Sequence, residues 1–338
     1  SFPPPTVYGK ARPFCLPGGL YLIRFDRIFH PTNVRLVKHP IVACSYPDYT
    51  KYHRQTARHK RYNKNMFALL ILLILLIGYA LTRVGAHMVF RPQKKRWPLK
   101  LPFQKIAFPA PNGKMITGVY LPAGKDLPTL LFFHGRGGNI SHFEAFAQAY
   151  APQGFGIIMF DYRGFGLSAG SPSQKTVFED ALCAVRYALK DLKILPNDIV
   201  LFGHSLGNAP ALYAASEMGK LPFKALILQS PFLSTPDMAV CLCTHDYSPA
   251  SSWYRLAALL VAPFLYFNRF DNVKSAKKLP EGLPVLVCMS RADQTIPWRQ
   301  SAKLADFIGH EKRFLSPVGG HDEFVWAQEA VVQFLHQL

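Results

Sequence analysis

Apolar positions recur along this chain in two rhythms. From residue 98 onward, short runs that are apolar at nearly every position alternate with stretches in which apolar residues return at helical spacing. "TLLFFHG" (129–135) precedes a helix-like stretch at 141–152. "FGIIMFDY" (155–162) precedes 174–192, where Phe178, Leu182, Val185, Leu189 and Leu192 share one face. "DIVLFGHS" (198–205) precedes 206–219, "LPVLVCMS" (283–290) precedes 298–308, and "KRFLSPV" (312–318) precedes 323–338. Continuous apolar strands are buried on both faces, so this alternation predicts an α/β fold with a mostly parallel central sheet flanked by helices. Upstream, "QKIAF" and "MITGVYLPA" flank "PAPNGK", whose Asn-Gly predicts a hairpin. "FKALILQS" (223–230) is followed not by a regular helix but by an irregular stretch, 232–272. That stretch contains "SSWYRLAALLVAPFLYF", read as a helical cap over the carboxyl edge of the sheet.

A different pattern precedes this region. "MFALLILLILLIGYALT" (66–82) runs 17 residues without a charge or a polar face, and predicts a transmembrane anchor over 66–90. A cleaved signal peptide is the alternative, because Val84-Gly85-Ala86 supplies small residues at a suitable place. Residues 51–65 and 83–100 each carry six Lys/Arg, so the positive-inside rule does not orient the anchor. "RPQKKRWPLKLP" (91–102) reads as an extended linker. Residues 1–65 hold eight prolines, no Met, Glu or Trp, and no sustained period; they predict a disordered basic leader, or sequence upstream of the natural start. With a start at Met66 only the downstream flank is basic, which places the large domain in the cytoplasm. A periplasmic or lumenal domain is the other arrangement.

Charge changes the picture less than its total suggests. The formal net charge is +19, yet residues 98–338 carry only +4, and the remaining +15 sits in the first 97 residues. No basic stripe with interleaved aromatics follows the anchor, so nucleic-acid binding is not expected. Six cysteines are too few and too scattered for a disulfide scaffold, and Cys241-Leu242-Cys243 lacks metal-ligand spacing. No metal is expected.

The chemistry is carried by "VLFGHSLGNAPAL" (200–212). A nucleophile at a sharp strand-to-helix turn needs strained backbone angles, and glycines at 203 and 207 relieve the crowding around Ser205. The Leu206 amide, at the start of the following helix, then faces developing negative charge. A serine needs a base, and the base needs an acid to orient it. His321 in "SPVGGHDEF" lies on a glycine-rich loop after the last strand. His204 adjoins the serine and should point away from it, while His134 in "FFHGRGG" reads as a structural turn residue. Asp293 in "CMSRADQTIP" ends a strand on the same edge; Asp161 comes before the serine in the chain, and Asp322 is beside the base. The order that results is Ser205, Asp293, His321.

With "FFHGRGGN" (132–139), "DYRGFGLSAG" (161–170), "GHSLGN" (203–208), "SRADQTIP" (290–297) and "GGHDEF" (319–324) in this order, the chain resembles the alpha/beta-hydrolase superfamily. Within it, the chain is similar to the single-pass membrane-anchored hydrolase-domain proteins and their bacterial relatives. The resemblance implies an alpha/beta-hydrolase domain over 103–338 with the cap at 232–272. It implies Ser205 as nucleophile, Asp293 as acid, His321 as base, and the Arg136 amide as a second oxyanion donor beside Leu206. Many relatives carry Asn in place of Arg136 and Gly in place of Asn208. The expected activity is hydrolysis of carboxylic esters or thioesters, with small-molecule or lipid-like acyl substrates and no cofactor. A peptidase or amidase on the same triad is the alternative, and after it a non-catalytic binding protein. Asn139-Ile140-Ser141 fits a glycosylation sequon, but it falls in the oxyanion loop.

Overall fold

The computed structural model describes residues 12–15, 21–24, 49–244, 265 and 268–338. The chain divides into two units, 1–75 and 76–338. In the first, β1 (Arg12–Cys15) pairs antiparallel with β2 (Tyr21–Arg24), where the sequence predicts no regular structure. The helix α1 covers Tyr49–Val89. Its stretch Lys64–Val89 is the one helix among the described residues long and apolar enough to cross a membrane, with mean hydropathy 2.4 and no burial over its most apolar window.

The second unit is built on a sheet. Its strands and helices follow in the order β3 (Arg91–Pro92), β4 (Gln104–Pro109), β5 (Met115–Leu121), β6 (Thr129–Phe133), β7 (Gly137–Gly138), α2 (Glu144–Tyr150), β8 (Gly156–Phe160), α3 (Gln174–Lys190), β9 (Ile199–His204), α4 (Asn208–Glu217) and β10 (Ala225–Gln229). Then come α5 (Thr235–Thr244), α6 (Asn272–Ala276), β11 (Val285–Ser290), α7 (Trp298–Ile308), β12 (Lys312–Ser316) and α8 (Val325–His336). Eight strands form one sheet in the order β12-β11-β10-β9-β6-β8-β5-β4. Only β5 runs against its neighbours; every other pairing in this sheet is parallel.

Local chemistry explains the elements. β6, β8, β9, β10 and β11 are buried at every position, as continuous apolar runs require. The β4–β5 hairpin turns at Asn112-Gly113, with Gly113 at φ +76°. Ser173 begins α3 with a capping box, its hydroxyl accepting the Thr176 N–H while Thr176 returns a bond to the Ser173 amide. Two apolar layers cover the sheet. One packs Val177, Ala181 and Val185 of α3 with Ala211 and Leu212 of α4 and Leu304 of α7; Val89 and Phe90 join it. The other packs Phe146 and Tyr150 of α2 with Ala327 and Val331 of α8.

The strand order fixes where a site can form. The chain lays down β6, then β8 on one side of it, and then crosses over to β9 on the other side. Such a reversal opens a crevice beyond the carboxyl ends of the strands. The cap expected over 232–272 is described only at α5 and around 268–272; the run "SSWYRLAALLVAPFLYF" lies outside the described residues except Leu265.

Candidate active site

Ser205 follows the last residue of β9 and precedes α4, with φ at +53°. A non-glycine residue held there costs about 1–3 kcal/mol, which the surrounding packing must offset. Two glycines make the bend possible, though not in one way. A Cβ at Gly203 would meet Asn208 Cα at 2.6 Å and the Gly207 carbonyl oxygen at 2.9 Å, a collision across the bend itself. A Cβ on Gly207 would run into the Phe133 carbonyl oxygen, so this glycine makes room for the neighbouring strand β6. Asn208 is fully buried and pins the turn: its Nδ2 donates to Ser205 O and to Gln229 O, both at 2.8 Å.

The structure brings Ser205, Asp293 and His321 together. Ser205 Oγ lies 2.8 Å from His321 Nε2, and His321 Nδ1 lies 2.9 Å from Asp293 Oδ2. Asp293 Oδ1 accepts the amides of Thr295 and Ile296, each at 2.8 Å. Burial pushes the Asp293 carboxyl upward, but the hydrogen bond and charge of His321, with the Ile296 amide, outweigh it and hold the acid below its ordinary range. An ionised Asp293 accepts the Nδ1–H of His321. That leaves the Nε2 lone pair to receive the serine proton, so the hydrogen-bond pattern assigns the tautomer. Ser205 is 7% exposed and borders the cleft.

His204 does more than avoid the serine. Its ring is buried 5.1 Å from the His321 ring, and its Nε2 donates to the His321 carbonyl oxygen at 2.8 Å. The loop carrying His321 is therefore tied to the strand that leads into Ser205. Burial, reinforced by nearby His321, drives His204 down to about 4, and Nδ1 has no partner. His134 is similar: fully buried, driven down to about 4 by burial, bonded through Nδ1 to Gly135 O at 2.8 Å, with Nε2 unpartnered. Both rings are thus neutral, and the sequence offered no sign of the His204 bond.

Across the cleft runs the 134–139 loop after β6. A Cβ on Gly135 would stand 3.5 Å from Ser205 Cβ, so this loop abuts the turn. Arg136 and Ser205 border two cavities. One, of about 400 Å³, is lined by Arg91, Arg136, His142, Thr295, His321 and Asp322 beside the serine. The other, of about 150 Å³, is mostly apolar, with Met88, Val89, Leu206, Met238, Leu265 and Ile296 along its walls. Leu206 directly follows the serine, at the start of the turn into α4.

The remaining candidates have structural work. Asp161 is fully buried, paired with Arg96, and its Oδ1 accepts the Ile140 amide at 2.8 Å; it braces the loop from beneath. Asp322 lines the larger cavity. His204, His321 and Asp322 form the one metal-ligand-like group among the described residues, but both ring nitrogens of His321 are engaged by Ser205 and Asp293. Asn139 is buried with its amide hydrogen-bonded, which leaves its sequon without an accessible nitrogen. Of the cysteine pair, Cys241 is buried, and the side chain of Cys243 lies outside the described residues.

Comparison with known proteins bears on the family and the fold. Residues 125–281 match the family described as "Serine aminopeptidase, S33". The chain is 28% identical over 270 residues to the uncharacterized protein YfhR of Escherichia coli (strain K12), covering 78% of this chain and 88% of that one. It is 29% identical over 218 residues to the lysophosphatidylserine lipase ABHD12 of Danio rerio, covering 59% of this chain and 54% of that protein. Among solved structures, an alpha-beta hydrolase from Vibrio vulnificus superposes with a TM-score of 0.55 at 23% identity, covering 70% of this chain and 79% of that one.

Proposed function

Because the chain belongs to the alpha/beta-hydrolase superfamily, we propose that it is a membrane-associated serine hydrolase of carboxylic esters or thioesters. The observation that carries the reading is the relay from Ser205 Oγ through His321 to Asp293, at 2.8 and 2.9 Å. In the proposed reaction Ser205 Oγ attacks the acyl carbon while His321 Nε2 takes its proton. The carbonyl oxygen becomes an anion, which the Leu206 and Arg136 amides receive. The bond from acyl carbon to the leaving oxygen or sulfur then breaks, and His321 hands its proton to the departing group. Water, deprotonated by the same imidazole, attacks the acyl-enzyme and releases the acid with Ser205 restored. Asp293 stays ionised throughout and keeps Nδ1 protonated.

Lipid-like acyl chains are the favoured substrates. The smaller cavity reaches Ser205 along apolar walls, and two of its residues, Met88 and Val89, are the last of the helix proposed to anchor the chain. Apolar walls of this kind suit an acyl chain at the serine. The lipase activity in the name of the ABHD12 relative points the same way.

The family description favours a second reading, an aminopeptidase. Such an enzyme must receive a substrate ammonium, and the larger cavity offers Arg91 and Arg136 against the single carboxylate of Asp322. Turnover of p-nitrophenyl esters with acyl chains of two to sixteen carbons, beside aminoacyl p-nitroanilides, separates the readings. The expected result is ester turnover that rises with chain length and vanishes in Ser205→Ala. Turnover of the anilides alone would favour the aminopeptidase.

A further inference from the structure

Residues 88–96 read in sequence as the end of an anchor and an extended linker, but they are bonded into the wall of the site. Phe90 is buried, its ring 6.5 Å from Phe165 and 5.8 Å from Phe270, and its amide donates to Ala86 O at 2.8 Å. Beyond it, the Arg91 amide donates to Arg136 O and the Gln93 amide to Gly138 O, each at 2.9 Å, so β3 and β7 form a two-residue parallel ladder. Asn139 Nδ2 donates to Gln93 O at 3.0 Å and to Lys95 O at 2.8 Å, while its Oδ1 accepts the Ser141 amide at 3.0 Å. Arg136 Nη1 donates to Met88 O at 3.1 Å. Arg96 closes the run on Asp161, the residue that also holds the Ile140 amide.

The peptide unit whose carbonyl Arg91 holds adjoins the one carrying the Arg136 N–H. An oxyanion donor lowers a barrier only if it is fixed before the charge develops, and it is fixed by the residues behind it. We propose that residues 91–96 are a strap that positions the 135–139 loop, so that the segment at the membrane surface belongs to the reaction's machinery. Arg91, Gln93 and Asn139 are its positioning residues. The inference rests on the proposed role of the Arg136 amide. Since that amide meets charge only in the transition state, loosening the strap lowers kcat and leaves KM nearly unchanged. Docking of the helix end and catalytic competence are thereby one equilibrium.

The test uses the 338-residue chain in phosphatidylcholine vesicles. Asn139→Asp keeps the shape and the Ser141 contact but replaces both donors to the strap; Gln93→Pro removes the amide donated to Gly138 from the opposite side. Each is assayed on p-nitrophenyl butyrate and with a trifluoromethyl ketone, which adds to the serine as a tetrahedral anion. The expected result is a fall in kcat of roughly tenfold to a hundredfold with KM within about threefold. Ketone affinity is expected to weaken in parallel with kcat/KM. Folded variants with kcat within about twofold of wild type, or with a change in KM alone, would overturn the strap. A wild-type chain whose Ser205 reacts with no acyl or phosphonyl reagent would instead overturn the parent reading, and the strap with it.

Discussion

Two bends stand at the carboxyl ends of adjacent parallel strands, one after β9 and one after β6, and they are held by different means. The bend at Ser205 is fixed by exclusion: two glycines admit backbone where no Cβ fits, and Asn208 locks the turn from within. The bend at 134–139 is fixed mainly by hydrogen bonds to and from residues more than forty positions earlier, with Asp161 beneath it, and only Gly138 (φ +73°), whose Cβ would meet the His142 ring at 2.7 Å, adds exclusion of its own. Gly137, at its centre, has nothing within 4 Å of a would-be Cβ. A bend held by packing keeps its shape wherever the strand does. One held by a strap keeps it only while the strap is docked. On the proposed reading, the turn that carries Ser205 is permanent and the loop that carries the Arg136 amide is conditional.

Substitutions can break this contrast. The largest effect is expected at Gly207, where an added methyl meets the backbone carbonyl of Phe133 and cannot rotate aside. Gly207→Ala is expected to cost upward of about 3 kcal/mol, read as loss of the cooperative thermal transition. Native-like melting of that variant would show that the bend is not held by exclusion.

Acid sharpens the comparison, because each bend carries one buried neutral imidazole, His134 in the loop and His204 in the turn. Both are driven from 6.5 to about 4 in the fold. The unfolded chain therefore takes up protons below pH 6.5 that the folded chain refuses until about pH 4. Stability is full above pH 6.5 and is lost as pH falls through that window. At pH 5 the loss is on the order of 2 kcal/mol for each ring, visible as a falling melting temperature between pH 7 and pH 5. A flat profile would mean that both rings accept protons in place, and a loss of half that size that one of them does. The smallest effect is expected at Gly137→Ala, within about 0.5 kcal/mol by thermal melting. A large loss there would make the loop as tightly packed as the turn.

How much of this was legible follows the same division. The eight strands of the main sheet, the five regular helices expected from spacing and the Asn-Gly hairpin follow from periods of a few residues, and the structure places each where its pattern falls. The glycine-framed turn is only half local: the Gly203 collision is with its own neighbours Asn208 and Gly207, but the Gly207 collision is with Phe133, in a strand 74 residues earlier. The strap is not local at all. Arg91-Pro92 is too short and too polar to announce a strand, and nothing in "RPQKKRWPLKLP" names 136–138 as its partner. Asp161 looked like a candidate acid because strand-end carboxylates so often are; only the partner Arg96, sixty-five residues earlier, shows it bracing a loop. The hold of His204 on the carbonyl of His321 joins residues 117 apart and leaves no mark on either sequence neighbourhood.

Reaction of the intact chain with a fluorophosphonate, followed by peptide mapping, tests the serine relay most directly. If Ser205 Oγ attacks phosphorus with its proton passing to His321 and fluoride departing, the adduct forms on the peptide containing Ser205. It is then absent from Ser205→Ala, and slower by at least about a thousandfold in His321→Ala. Equal labelling of wild type and Ser205→Ala, or an adduct mapped to any other residue, would contradict it.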